Sequence, residues 1–256
     1  MKRALKILAA VVLVLVVAVV ALFASAMSGT SAISDGERLA PGVQVVKDGF
    51  VSAFILDAGE GAVALVDAGN DKKGTAILAA LARRGLGPEA VKAIFLTHGH
   101  GDHTAAVPLF PHADVYALAE EEPVIEGTAK GRSPMSFLMP RRPTGISARH
   151  LLGDGDEITV GVTTVRAFAV PGHTRGSAAY LSRGVLFFGD SASARKNGEL
   201  APAVWLFSDS RDENVTSLKA LAARLAADHA HVETLAFAHS GPLAGVESLA
   251  RFVATH

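Results

Sequence analysis

Five apolar runs in this chain of 256 residues end the same way, on a histidine or aspartate close to glycine. Ala62–Val66 runs into Asp67-Ala68-Gly69, and Ala93–Leu96 into Thr97-His98-Gly99-His100-Gly101-Asp102-His103. Further on, Thr163–Val170 leads to Pro171-Gly172-His173, Val185–Phe188 to Gly189-Asp190, and Thr234–Ala238 to His239-Ser240-Gly241. Short apolar runs bounded by glycine and turn residues read as buried strands. Singly, a histidine after a strand is more often a plain loop residue. Together the runs repeat one idea, because α/β folds gather their sites at strand ends.

The rest of the pattern agrees with an α/β domain. Val43–Val46 and Phe50–Leu56 read as strands joined at Lys47-Asp48-Gly49, since Asp-Gly is a strong hairpin signal. Lys72–Arg84 reads as a helix with Ile77, Leu78 and Leu81 on one face and Gly85 as its stop. Val115–Ala117, Glu157–Val160 and Ala178–Leu181 add strands, and helices are expected over Glu213–Ala227 and from Val246 to near the end. Gly127 to Ser147 is irregular, with three prolines, Arg132, Arg141 and Arg142, and the apolar Met135, Phe137 and Met139. It reads as an exposed basic loop with apolar feet on the core. A pocket-shaping loop is the alternative, its arginines suiting an anionic substrate and its apolar residues an apolar one.

Ahead of this lies a different segment. Lys2, Arg3 and Lys6 precede Ile7 to Ala24, a run with no charge. A spanning helix needs roughly 17–25 apolar residues, whereas the apolar core of a signal peptide has about 7–15. Residues 1–26 are therefore expected to be a membrane anchor, or a signal peptide cut at Ala24-Ser25-Ala26, and 27–37 a linker. Either way the leading positive charges predict that the following domain, 38–256, is exported: anchored to the membrane, or secreted or periplasmic.

Composition narrows the partners. With 24 basic and 25 acidic residues the net charge is −1, so a nucleic-acid surface is not expected. The chain has no cysteine, hence no thiolate ligand, no cysteine nucleophile and no disulfide framework. It also lacks the G-x-S-x-G elbow of serine hydrolases. What remains for chemistry is imidazole and carboxylate. His98 and His100, two apart, can point to one side of an extended segment, with Asp102 and His103 on the turn beyond. Nitrogen and oxygen are the ligands zinc takes when thiolate is absent, and they also permit iron or manganese. His112, His150, His229, His231 and His256 follow no such strand and read as surface residues.

With these residues in place, the chain resembles the metallo-β-lactamase-fold superfamily of hydrolases. The signature H-x-H-x-D-H is met by His98 to His103, and the later His, Asp and His by His173, Asp190 and His239. The resemblance covers about Arg38 to His256. It implies a four-layered αββα sandwich with metals at one edge between two sheets. It implies two divalent ions, zinc expected: His98, His100 and His173 on the first, Asp102, His103 and His239 on the second, and Asp190 bridging. Asp67 would brace the motif loop from behind. A hydroxide shared by the ions would attack an ester, thioester, lactone or phosphodiester-type bond in a small-molecule substrate, with Asp102 orienting it. Arg175, where relatives often carry proline, and Ala238, where they often carry glycine, leave the substrate subgroup open. Two other readings remain: a mononuclear iron redox enzyme of the same fold, and a non-catalytic exported metal-binding protein.

Overall fold

The computed structural model describes residues 28–138 and 143–256, with 6–7, 10–14 and 17 of the leading segment. Most of the apolar run from Ile7 to Ala24, the cleavage motif, and Met139, Arg141 and Arg142 lie outside the described residues. Among the described residues no helix is long and apolar enough to cross a membrane.

Strands β1 (Arg38–Ala40), β2 (Val43–Asp48), β3 (Val51–Gly59) and β4 (Ala62–Val66) form an antiparallel run. Helix α1 (Thr75–Ala82) follows, and then β5 (Val91–Phe95) joins β4 in parallel. After the short helix α2 (Gly101–Thr104), β6 (Asp114–Leu118) continues the parallel sheet. Two more short helices, α3 (Glu122–Ile125) and α4 (Pro134–Leu138), precede β7 (His150–Leu152), the last of seven strands in the order β1 to β7.

The second sheet collects β8 (Glu157–Val160), β9 (Thr163–Ala169), β10 (Ala178–Ser182) and β11 (Val185–Phe187) as a meander. The β12 (Ala192–Ala194) and β13 (Leu200–Pro202) pair stands apart, followed by α5 (Arg211–Ala227). Then β14 (Thr234–Ala236) adds in parallel to β11, β15 (Leu243–Ala244) forms the edge, and α6 (Glu247–Thr255) closes the chain. Ser210 caps α5 by accepting from the Glu213 amide at 3.2 Å.

Side-chain alternation makes the layers. Ala53 and Ile55 of β3 face α1, packing with Ile77 and Leu81, while Phe54 and Leu56 face the other sheet, among Ala167, Tyr180 and Phe187. The far side of the second sheet, with Phe168, Leu186 and Leu235, packs against Leu218, Leu221 and Leu225 of α5 and Phe252 of α6. Three apolar interfaces between four layers are the αββα sandwich. Strands buried on both faces explain why β3 and β4 read as nearly continuous apolar runs.

Two local readings change. Phe50 is not a strand residue: with Gly49 it forms the tip between Asp48 and Val51, and it is exposed. In the 127–147 loop Phe137 does not rest on the core: it and Leu138 of α4 are 78% and 75% exposed, whereas Ile146 of the same loop is buried in the core. The stretch expected as a linker also bonds to the domain. Ser31 donates its amide to Ala194 O at 2.9 Å and accepts from the Gly241 amide at 3.3 Å, and Lys196 donates to Gly29 O at 2.8 Å.

Candidate metal centre

Two inter-sheet hydrogen bonds bring the ligand-bearing ends together. The Ala178 amide at the start of β10 donates to Thr97 O at the end of β5, and the Ser52 amide of β3 donates to Ala238 O beyond β14, both at 2.8 Å. Parallel pairing of β11 with β14 sets Asp190 beside His239. Gly189, at φ 53°, lets the Asp190 turn pass Thr97, since a Cβ there would lie 2.3 Å from Thr97 Oγ1.

All seven residues expected at the centre converge. The ring nitrogens of His98 and His100 are 3.0 Å apart, and His173 Nε2 lies 3.2 Å from the first and 3.0 Å from the second. Four-coordinate zinc at about 2.0–2.1 Å from nitrogen separates its ligands by roughly 3.3–3.4 Å, so this triangle is close to the size of one ion's face. Beside it, His239 Nε2 is 3.3 Å from Asp102 Oδ2, and His103 Nε2 is 3.8 Å from the same oxygen. Asp190 faces both: Oδ1 is 3.3 Å from His103 Nε2 and 3.2 Å from His239 Nε2, while Oδ2 is 3.6 Å from His173 Nε2. Three groups could hold a metal ion: His98 with His100 and His173, His98 with His103 and Asp190, and Asp102 with His103 and His239.

The surroundings fix which nitrogen of each ring faces the centre. Asp67, fully buried at the end of β4 with φ 59°, accepts from the Thr97 amide, the Thr97 hydroxyl and His103 Nδ1, each at 2.8 Å. The Thr97 hydroxyl, its proton given to Asp67, accepts from His98 Nδ1 at 3.1 Å. Ser208 Oγ donates to Val204 O at 2.8 Å and so accepts from His173 Nδ1 at 3.1 Å. Phe50 O accepts from His239 Nδ1 at 3.0 Å. Each of these four rings therefore turns Nε2 inward, the arrangement that carbonyl and carboxylate partners impose on metal-binding histidines. His103 Nε2 and Asp190 Oδ1 are buried without a hydrogen-bond partner, an expensive state that a cation between them would relieve. The residues present fit a metal.

Charge divides the cluster. Burial pushes His173 down to about 3, and burial with neighbouring histidines takes His98 well below its ordinary range. Burial also works against charge on His239, but Asp190 and Asp102 outweigh it and raise it to about 10. His103 stands well above its usual value for the same reason, with Asp190 and Asp67 beside it overcoming burial. Burial would raise Asp102, yet His103 and His239 bring it down to about 2, so it is ionised at neutral pH.

Several contributors escape sequence reading. Glu121 is fully buried, and burial pushes its carboxyl up to about 7 against the pull of the Gly99 and Gly176 amides. Ser208 and Thr97 set ring orientation, and Phe50 stacks on His239 with centroids 5.6 Å apart. Ser177 is a loop hydrogen-bonder, accepting from the Thr174 amide at 2.9 Å. Arg175 is exposed, as are His112, His150, His229, His231 and His256.

An αββα sandwich with imidazoles and carboxylates converging on one rim is the architecture of a metal-site protein. The chain belongs to the metallo-beta-lactamase superfamily, whose family model matches residues 46–239. Hydroxyacylglutathione hydrolases of Salmonella paratyphi B and Salmonella newport are 35% identical over 151 residues, 57% of this chain and 49% of theirs. The chain thus spans about half the length of the curated relatives it matches. A metallo-beta-lactamase family protein from Thermus thermophilus superposes with TM-score 0.62 at 25% identity, over 86% of this chain and 80% of that one. The metallo-beta-lactamase MIM-1 from Novosphingobium pentaromativorans does so with TM-score 0.66 at 19% identity, over 90% and 92%. At that identity the second likeness speaks for the fold.

Proposed function

We infer that this protein is a metal-dependent hydrolase with two ions per chain, cleaving an acyl bond, a thioester before an ester or lactone, or else a phosphodiester-type bond. His98, His100 and His173 would hold the first ion, Asp102, His103 and His239 the second, and Asp190 both. The observation that carries this reading is the carboxylate of Asp190, one oxygen toward His103 and His239 and the other toward His173. Zinc suits the donor set, and iron or manganese is permitted by it. When bound, such a pair acidifies water and polarises the attacked oxygen at neutral pH.

The chain's own residues do the rest. Asp102, ionised and 25% exposed on its side chain, can take a hydrogen bond from an attacking water and orient it. Asp67 and Thr97 keep His98 and His103 in the tautomer that presents Nε2. The preference for thioesters rests on the 35% identity to hydroxyacylglutathione hydrolases.

The test is elemental analysis of the purified chain together with turnover of thioester, lactone and phosphodiester panels. About two zinc per chain and hydrolysis lost in His100→Ala are expected. One iron per chain without hydrolysis, or unchanged turnover in His100→Ala, would overturn the reading.

A further inference from the structure

The triangle of His98, His100 and His173 is assembled from two loops that belong to different sheets. Its cross-loop edges, 3.2 and 3.0 Å, are correct only if the two loops stand at one separation. Behind the site the strand ends are tied by the bond from Ala178 to Thr97. Beyond the ring nitrogens, where the loops turn away from their strands, the contact is made by one side chain from a third segment. Glu121 Oε1 accepts from the Gly99 amide at 2.8 Å, and Oε2 accepts from the Gly176 amide at 3.0 Å. Gly99 lies between two of the imidazoles, and Gly176 follows the third by three residues.

The packing there leaves no slack. A Cβ on Gly99 would lie 2.6 Å from the Ile125 nitrogen, and one on Gly176 would lie 2.3 Å from the Glu121 nitrogen. Both loops therefore rest directly on the backbone of this segment, the Gly176 loop where α3 begins and the Gly99 loop where it ends. A fully buried carboxylate is costly unless its oxygens are satisfied, and here each oxygen has an amide from a different loop.

We propose that Glu121 is a positioning residue for the first metal, its two oxygens fixing the His98–His100 loop against the His173 loop. The proposal rests on the metal assignment made above. Glutamine has nearly the same volume but one acceptor oxygen, so its amide group would face one of the two N–H groups donor to donor. Glu121→Gln should open the triangle while leaving Asp102, His103 and His239 in place.

Cobalt(II) and zinc(II) are titrated into the metal-depleted protein and the variant, following cobalt absorption bands and heats of binding. Glu121→Gln is expected to weaken the three-histidine site about 10–100-fold, with altered cobalt bands, while the neighbouring site keeps its affinity. Wild-type affinity and bands in Glu121→Gln would overturn the proposal, as would equal weakening of both sites, the mark of a general loss of structure. If the wild-type chain takes up neither metal, the metal assignment fails first. Should the variant not fold, amide hydrogen exchange of the metal-depleted wild type decides. Strong protection of both Gly99 and Gly176 supports the clamp, and solvent-like exchange at either overturns it.

Discussion

Two halves of one cluster, a few ångströms apart, are built on opposite electrostatic plans. His98, His100 and His173 are imidazoles kept neutral mainly by burial and held between Thr97, Ser208 and the Glu121 clamp. Asp102, His103 and His239 mix anions and cations, with Asp102 and His239 partly exposed. The first half is a rigid neutral face that is ready for a cation. The second compensates its charges internally, so a cation arriving there must displace protons. The difference teaches that the two sites, though adjacent, should load by different linkages. Asp190 couples them.

The largest effect should come from breaking that coupling. Asp190→Ala removes oxygens facing both halves, and hydrolysis should fall by about 10³-fold or more, because several kcal/mol of charge stabilisation disappear. Steady-state turnover beside metal content measures it, and loss of less than tenfold would show that the halves act independently.

Proton linkage sharpens the contrast next. His239, raised to about 10, and His103, also held well above its usual range, must both lose a proton to bind metal, so the apparent affinity of the second half should rise more than tenfold, and up to about a hundredfold, per pH unit from 6 to 9. The three-histidine half, with His173 at about 3 and its partners also lowered, should be flat over that range. The metal-depleted fold shows the mirror image. His239 is raised, so its stabilisation is complete below the unfolded value near 6.5 and fades as pH climbs through about 10. His173 is lowered, so its contribution is lost as pH falls from 6.5 toward 3. Zinc titrations at several pH values, with proton release measured in two buffers, test the pair.

Asp67→Asn attacks the second half from behind. It removes one acceptor from His103 and the Thr97 group, and affinity there should drop about 10–100-fold with less change at the three histidines. Stability should fall by about 1–3 kcal/mol as a buried donor loses its partner, read from the denaturation midpoint.

The parts of this contrast that the sequence made legible are those where residue type and strand end coincide. Apolar runs closing on His98, His173, Asp190 and His239 located the ligand set because β-strands deliver side chains at fixed places. Asp67 was visible for the same reason. Glu121 was not: it sits among Glu120 and Glu122, and three successive acids read as a solvated run. Only the turn after β6 decides that the middle one faces inward. Ser208 was hidden because its role depends on a short helical turn at Trp205–Phe207, with no strand pattern leading to it. Phe50 was misplaced by one step, since the hairpin signal set the turn at Asp48-Gly49 and the tip takes Gly49 and Phe50. The β12–β13 pair, rich in alanine, carried no β-branched or aromatic signal at all.

A smaller effect is expected from the neutral half. Ser208→Ala deprives His173 Nδ1 of its acceptor and frees the ring to turn. The first ion should bind about tenfold more weakly, at the low end of the effect of such outer partners, and the second should not respond.

Phe50→Ala should be the mildest. The Phe50 ring lies nearly parallel to His239, 11° between planes, while its backbone carbonyl accepts from Nδ1. Substitution keeps the carbonyl and removes the ring, so orientation by hydrogen bond survives and only stacking is lost. An aromatic pair is worth about 0.5–1.5 kcal/mol, which is roughly a 2–12-fold change in binding of the second ion. The proton-linked slope of that half should stay as it was, because Asp190 and Asp102, not Phe50, set the charge on His239. A changed slope would mean that Phe50 also shields the imidazole from water, and then part of the contrast between the halves would lie in solvent access and not in charge.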